Sequence, residues 1–344
     1  MAGNPCSPSS GDAPSGNFGH DGGMRIVSLL PSATEIVFLL GLGDDLVGVT
    51  HECDWPPPAR SKACLTRSLL PKDATPAEID RLVSASAAGE GTTQRLGVEA
   101  LVALEPDLVL TQDVCAVCAV PAAHVRAELD AACPGSMVLS LDPSSLDYVL
   151  ADILRVGAAT NQEPVARRAV QALEERLAIV DDAIRRATHD TVTSADQGSG
   201  AARGSGRPRV LALEWGDPPY NAGHWVPEMI ERAGGEALLA TAGAPSTRIT
   251  WDDVGAADPD VVVFMPCGYN LSLACDQARD LARHPEVARS KRLFGANASA
   301  YFSRPGPRLV DGVEALASVL HPSSGLACAP DAISLVCSTD PTRG

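Results

Sequence analysis

Asp107-Leu108-Val109-Leu110-Thr111-Gln112-Asp113-Val114-Cys115-Ala116-Val117-Cys118 reads as a buried strand that runs straight into a polar, cysteine-bearing loop. A short apolar run of this kind suits the interior of a parallel sheet. Asp45-Leu46-Val47-Gly48-Val49-Thr50-His51-Glu52-Cys53 repeats the arrangement upstream. Two more copies lie downstream. One is Val210-Leu211-Ala212-Leu213-Glu214-Trp215, which leads through a loop to His224-Trp225; the other is Asp260-Val261-Val262-Val263-Phe264-Met265-Pro266-Cys267. Each time the polar or sulfur-bearing residues follow the carboxyl end of the strand. Open parallel sheets bind ligands in the crevice outside those ends. Two such sheets facing each other bring His51, Cys53, Cys115, Cys118, His224 and Cys267 towards one cleft.

Outward from these strands, the pattern alternates. Arg25-Ile26-Val27-Ser28-Leu29-Leu30 is a strand, and the apolar helix Ile36–Leu40 follows it. Ser32 and Glu35 have capping-box spacing, and Gly41 or Gly43 can close the helix. Further helices at Ala77–Ala85, Val98–Leu104 and Val120–Ala132 surround the strands Leu108–Leu110 and Ser136–Leu141. Strand and helix in alternation indicate a parallel sheet. Residues 144–187 carry apolar residues at helical spacing and no strand signal, so a long bridging helix, or two in series, is expected. Residues 188–207 are rich in Ser, Gly and Ala and read as a floppy insertion. The strand and helix pattern restarts at 208 and runs to 321. The expected organisation is a disordered leader (1–23), an N-terminal lobe (24–143), the bridge (144–187), the insertion (188–207), a C-terminal lobe (208–321) and a disordered tail (322–344). The fold class is therefore α/β: two Rossmann-like lobes with parallel sheets joined by a helical backbone.

The 344 residues suffice for about two domains. A formal net charge of -16 and a pI near 4.8 argue against a nucleic-acid partner or an anionic membrane surface. No stretch approaches the roughly 20 apolar residues of a membrane span. The leader lacks the basic start and apolar run of a secretory signal. A cytoplasmic monomer is expected, with reduced thiols.

Cys115 and Cys118 form C-x-x-C, half of a common structural zinc pattern. His51, Cys53 and Cys267 are the candidates to complete it, so direct binding of a zinc-like transition metal is one reading. The bland alternative is that these small cysteines pack between loop and sheet. A thiol enzyme on the same scaffold is a further reading, although no dinucleotide, P-loop or nucleophile-elbow signature is present. Trp55, Trp215, Tyr220, Trp225, Tyr269, Tyr301 and Phe302 all fall in loops after strands. Aromatic residues are only 4% of the chain, so this placement carries weight. Such walls, with a few placed polar groups, hold large flat ligands. Arg304 offers a guanidinium fork to a carboxylate or phosphate, and Arg308 suits a nearby acid.

Several segments resemble class III substrate-binding proteins, the helical-backbone type that takes vitamin B12, siderophores and heme to ABC importers. They are Arg25 to Glu35, Cys53-Asp54-Trp55-Pro56-Pro57, Leu104-Glu105-Pro106-Asp107-Leu108-Val109, Ala257-Asp258-Pro259-Asp260-Val261-Val262 and Tyr301-Phe302-Ser303-Arg304-Pro305-Gly306-Pro307-Arg308. The resemblance spans about Arg25 to Leu320. His-Glu-Cys at 51–53, Asp-x-Cys-x-x-Cys at 113–118 and Gly-His-Trp-Val-Pro-Glu at 223–228 are similar to a cobalamin-binding branch. It implies non-enzymatic binding of a corrinoid, or another bulky metal chelate, in the cleft between two lobes, with an ABC permease as partner. On that reading Trp55, Trp215, Tyr220, His224, Trp225, Tyr269, Tyr301, Phe302 and Arg304 contact the ligand. His51 and His224 can each offer a neutral imidazole to cobalt.

Overall fold

Leu108–Thr111 is buried along its whole length in the computed structural model, which describes residues 23–71, 76–87, 93–113, 122–195 and 207–338. The N-terminal lobe runs β1 (Ile26–Ser28), α1 (Pro31–Leu39), β2 (Leu46–Val49), β3 (Ala63–Cys64), β4 (Thr66–Ser68), α2 (Pro76–Ala87), β5 (Gln94–Leu96), α3 (Val98–Ala103), β6 (Leu108–Thr111), α4 (Ala122–Ala132) and β7 (Met137–Ser140). Its five-stranded sheet has the order β3-β2-β1-β6-β7 and is parallel throughout. The short strands β4 and β5 form a separate antiparallel ribbon. Alternation along the central strands divides the interior. Ile26, Leu108 and Leu110 enter the main core, whereas Val27 and Val109 face a second cluster with Leu101, Val125 and Leu129.

Two helices in series, α5 (Leu146–Ala159) and α6 (Glu163–Ala195), lead to the second lobe. The break falls at Asn161, whose φ of 57° ends α5 in the left-handed region. Gly157 lets Ala166 approach closely, so α5 and α6 pack tightly beside the break. Of the two expected forms of the bridge, one long helix or two in series, the structure has two in series. The bridge also continues into the expected insertion as far as Ala195, a stretch with no glycine or proline after Pro164.

The C-terminal lobe follows as β8 (Arg209–Gly216), β9 (Pro219–Asn221), α7 (Val226–Arg232), β10 (Glu236–Ala237), α8 (Trp251–Ala257), β11 (Val261–Phe264), α9 (Leu271–Leu281), α10 (Pro285–Ala288), β12 (Arg292–Ala296), α11 (Ala298–Tyr301), α12 (Leu309–Leu320) and β13 (Ile333–Ser338). The sheet order is β10-β8-β11-β12-β13, with β9 folded back on β8. β10, β8, β11 and β12 are parallel, whereas β9 and β13 run antiparallel to their neighbours. The expected disordered tail therefore contributes a strand. Ile-Ser-Leu-Val-Cys-Ser is uncharged and free of proline and glycine, which suits an added edge. Ile333 reaches the main core and Val336 packs on the opposite cluster.

The main core is continuous between lobes. It joins Ile26, Ile36 and Leu110 to Ile153, Leu177, Val210, Met229, Val263 and Leu316. Helix α1 also departs from the expected capping box. It begins at Pro31 with Leu30 as N-cap, and Ser32 makes no cap hydrogen bond. Glu35 is drawn elsewhere, to Arg308 of the second lobe. At the other end Gly41, with φ 77°, allows Leu42 N–H to bond the Val37 carbonyl.

Candidate functional site

The carboxyl ends of β6, β8 and β11 meet at a cleft between the lobes. Gln112 enters it from the N-terminal lobe. Glu214, Gly223, His224, Trp225, Met265, Cys267, Phe302 and Ser303 enter from the C-terminal lobe. Alternation along β8 turns Glu214 into this cleft and Trp215 out of it. Trp215 instead lines a separate hollow of about 550 Å³ with Trp251, Phe264 and Leu281. The cleft itself encloses about 90 Å³. Ligand pockets typically measure ~300–1,000 Å³, so the cleft as it stands is smaller than a site that encloses a large ligand.

His224 occupies the left-handed region at φ 55°. Its backbone N–H donates to Ala244 O at 2.6 Å, and its carbonyl accepts from Gly243 N–H at 2.8 Å. Gly223 permits this because a Cβ there would collide with the backbone of residues 244–246. The His224 ring lies 5.4 Å from the Trp225 ring, and burial pushes its pKa down. The neutral imidazole that results is the form able to bind a metal. Trp225 is buried, and its indole N–H donates to Phe302 O at 2.7 Å. Trp225 and Phe302 therefore form a fixed wall. Cys267, half-buried, shares the cleft with His224.

Charged pairs cross the lobes from the segment that carries the lining residues Phe302, Ser303 and Pro305. Arg304 donates to Asp54 Oδ1 at 2.5 Å and to Glu52 O at 3.0 Å. Arg308 donates through Nε and a terminal nitrogen to the two oxygens of Glu35. Burial pushes the Glu35 carboxyl up, and the two hydrogen bonds from Arg308 oppose it. The Arg308 guanidinium also lies 5.3 Å from the ring centre of Trp55 and 5.6 Å from that of Tyr301. Trp55 is 47% exposed and does not line the cleft. Glu228, in the first turn of α7, accepts from Leu146 N–H at the start of α5.

The other expected ligand contacts are arranged differently. Tyr301 is buried and donates its hydroxyl to Asp331; burial, then Asp331, pushes its pKa up to about 12. Tyr269 accepts from Gln277 and meets Trp215 edge-on at 6.0 Å. Tyr220 lies in β9 and is half-buried, with its backbone bridged to Arg248. None of Trp215, Tyr220 and Tyr269 lines the cleft.

The expected metal set does not assemble among the described residues, where no group of three His, Cys, Asp or Glu is placed to hold an ion. His51 is exposed, and its ring Nδ1 pairs with Thr66 Oγ1 at 2.8 Å. Cys53 is buried, with its Sγ 3.1 Å from the hydroxyls of both Thr34 and Thr50. Burial pushes the Cys53 thiol up, away from the thiolate that zinc needs. Cys115 and Cys118 lie outside the described residues. Gln112, Ser303 and Met265 line the cleft but were not among the site residues expected from the sequence. Period-two alternation from Trp215 and Phe264 would have found Glu214 and Met265, but Gln112 and Ser303 carry no such signal.

Known proteins share this architecture. A vitamin B12-binding protein from Yersinia pestis (strain Pestoides F) is 23% identical over 243 residues, covering 70% of this chain and 68% of that protein. A periplasmic heme binding protein from Pseudomonas aeruginosa superposes with a TM-score of 0.67 at 20% identity, over 92% of this chain and 98% of that one. The periplasmic vitamin B12 binding protein of Vibrio cholerae gives a TM-score of 0.60 at 20% identity, over 88% and 98%. These relatives overturn the expected cytoplasmic location: the proteins matched are periplasmic, which points to the periplasm. The family described as periplasmic binding protein matches residues 26–293, most of the chain, and the protein belongs to that family.

Proposed function

We propose that this protein binds a corrinoid, or a closely related metal tetrapyrrole, in the cleft between its lobes and presents it to an ABC permease from the periplasm. One observation carries the reading. An apolar and aromatic wall of Trp225, Phe302, Val226 and Met265 stands beside two metal-capable side chains, His224 and Cys267, at the carboxyl ends of the strands. The vitamin B12 and heme ligands named for the relatives supply the ligand class. Binding requires no covalent chemistry. The ligand enters between separated lobes and favours their closure over its faces. His224, held neutral by burial, is the side chain suited to the metal face.

Titration of the reduced protein with hydroxocobalamin tests this, read by the corrin absorption band and by tryptophan fluorescence. Saturable binding with a band shift that His224→Ala removes is the expected result. Absence of binding at tens of micromolar would overturn the reading.

A further inference from the structure

We propose that the hollow beside Trp215 is a second binding site, and that it takes a small flat aromatic cation such as an aryl amidine. The hollow lies wholly within the C-terminal lobe, so it depends neither on the cleft between the lobes nor on their movement.

The sheet places it there. Leu211, Leu213 and Phe264 face the smaller core cluster of this lobe, on the opposite side from Val210, Ala212 and Val263 of the main core. Trp215 extends the face of Leu211 and Leu213, while α8 and α9 bring Trp251 and Leu281 to the same hollow. Two of the chain's four tryptophans therefore line one space. Its volume of about 550 Å³ falls within the ~300–1,000 Å³ of ligand pockets, whereas the inter-lobe cleft holds about 90 Å³.

The walls suit a flat ring. The Trp251 and His284 rings stack with their centres 3.8 Å apart, 22° from parallel. Trp215 meets Tyr269 edge-on, and the Tyr269 hydroxyl accepts from Gln277 Nε2 at 3.0 Å. Both tryptophans are thus held by neighbours, which lowers the ordering cost of binding. Tryptophan faces also attract organic cations.

The polar groups choose the sign of the charge. Asp217, Asp280 and Arg283 are the carboxylates and the guanidinium of the lining. Arg283 donates to Asp280 at 2.8 Å, so that pair brings no net charge. Asp217 is exposed and has no hydrogen bond or ion pair with a described residue. Gln277 gives its amide N–H to Tyr269 and keeps its carbonyl oxygen as a further acceptor. The Trp215 indole N–H is buried out of solvent contact and is not offered to a ligand. A molecule in the hollow therefore meets an unpaired carboxylate and an amide oxygen between aromatic walls. An amidinium on an aromatic ring supplies the matching N–H donors, the positive charge and the flat face. The chain's net charge of -16 further favours the approach of a cation.

Proton–nitrogen NMR of the isotope-labelled full chain with benzamidine, benzamide and benzoate tests the site, read at tryptophan indole signals assigned with Trp215→Phe, Trp251→Phe and Trp225→Phe. The Trp215 and Trp251 signals should move saturably with benzamidine, at a dissociation constant of about 1 mM. The signal of Trp225, in the inter-lobe cleft, should stay still. Benzamide should bind about fivefold more weakly, and benzoate more weakly still. Asp217→Asn, at an exposed position, should bring benzamidine down to the affinity of benzamide and leave benzamide unchanged. Benzoate binding as tightly as benzamidine would overturn the choice of a cation. Movement of the Trp225 signal alone, or no saturable shift below about 10 mM, would overturn the site. The hydroxocobalamin titration of the inter-lobe cleft bears on neither.

Discussion

Arg308 grips Glu35 with two hydrogen bonds across the boundary between the lobes, Nε to Oε2 at 2.9 Å and a terminal nitrogen to Oε1 at 2.5 Å. Glu35 sits on α1 and Arg308 precedes α12, so the pair ties the first helix of one lobe to the last helix of the other. Removing one partner of a buried pair leaves the other charged and unsolvated, at about 3–5 kcal/mol. Arg308→Ala is therefore expected to lower the unfolding free energy by about 3 kcal/mol in urea titration. The double replacement Glu35→Leu with Arg308→Met should restore much of that loss. A single mutant as stable as the parent would show that water already screens the pair.

Stability should fall as pH rises from acid towards neutral through Asp152. This α5 side chain is 5% exposed, and burial lifts its carboxyl from 3.8 to about 6 against the hydrogen bond from Arg155. Its Oδ2 is buried with no hydrogen-bond partner among the described residues. The folded state thus prefers the protonated form. The stabilising contribution is whole below the unfolded value and is lost as pH rises through about 6. A shift of this size is worth at most about 3 kcal/mol. Asp152→Asn should raise the melting temperature at about pH 8 and change it little at about pH 4. Equal effects at both ends of that range would exclude the linkage.

Cys53 should be chemically silent in the folded protein. It is 4% exposed, contacts two hydroxyls and has its thiol pushed up by burial. Cys64 and Cys337 are exposed. Brief alkylation followed by peptide mass spectrometry should label those two well before Cys53. Early labelling of Cys53 would reopen a reactive-thiol role.

Gly223→Ala should weaken both stability and ligand binding. The added Cβ meets the backbone of residues 244–246, which also holds His224 through two hydrogen bonds. Overpacking of this kind typically costs about 1–3 kcal/mol. Thermal melts and the hydroxocobalamin titration would read the two effects, and an unaltered affinity would show that His224 keeps its place without the close approach.

Much of the architecture is legible in the chain because its central strands are short and almost wholly apolar. Val261–Phe264 and Leu108–Thr111 are buried at every position, and such runs have few other uses. Their carboxyl ends likewise point to the cleft before any coordinates. The lobe-crossing pair is different. Glu35 and Arg308 lie 273 residues apart, and Ser32 to Glu35 offers a convincing local spacing that leads to a cap instead. Cys53 has the residue type of a metal ligand, but its hydroxyl neighbours Thr34 and Thr50 are visible only after folding. The strand Ile333–Ser338 was hidden behind the Pro-Ser-Ser-Gly turn that follows α12 and reads as the end of order.

The apolar core that runs unbroken from β1 through α5 and α6 to α12 has a thermodynamic corollary. Lobes with separate interiors can melt one after the other, whereas lobes that share an interior lose it together. Calorimetry should therefore record one cooperative transition for the whole protein, with van't Hoff and calorimetric enthalpies in agreement. Damage to either lobe would then be felt as loss of both.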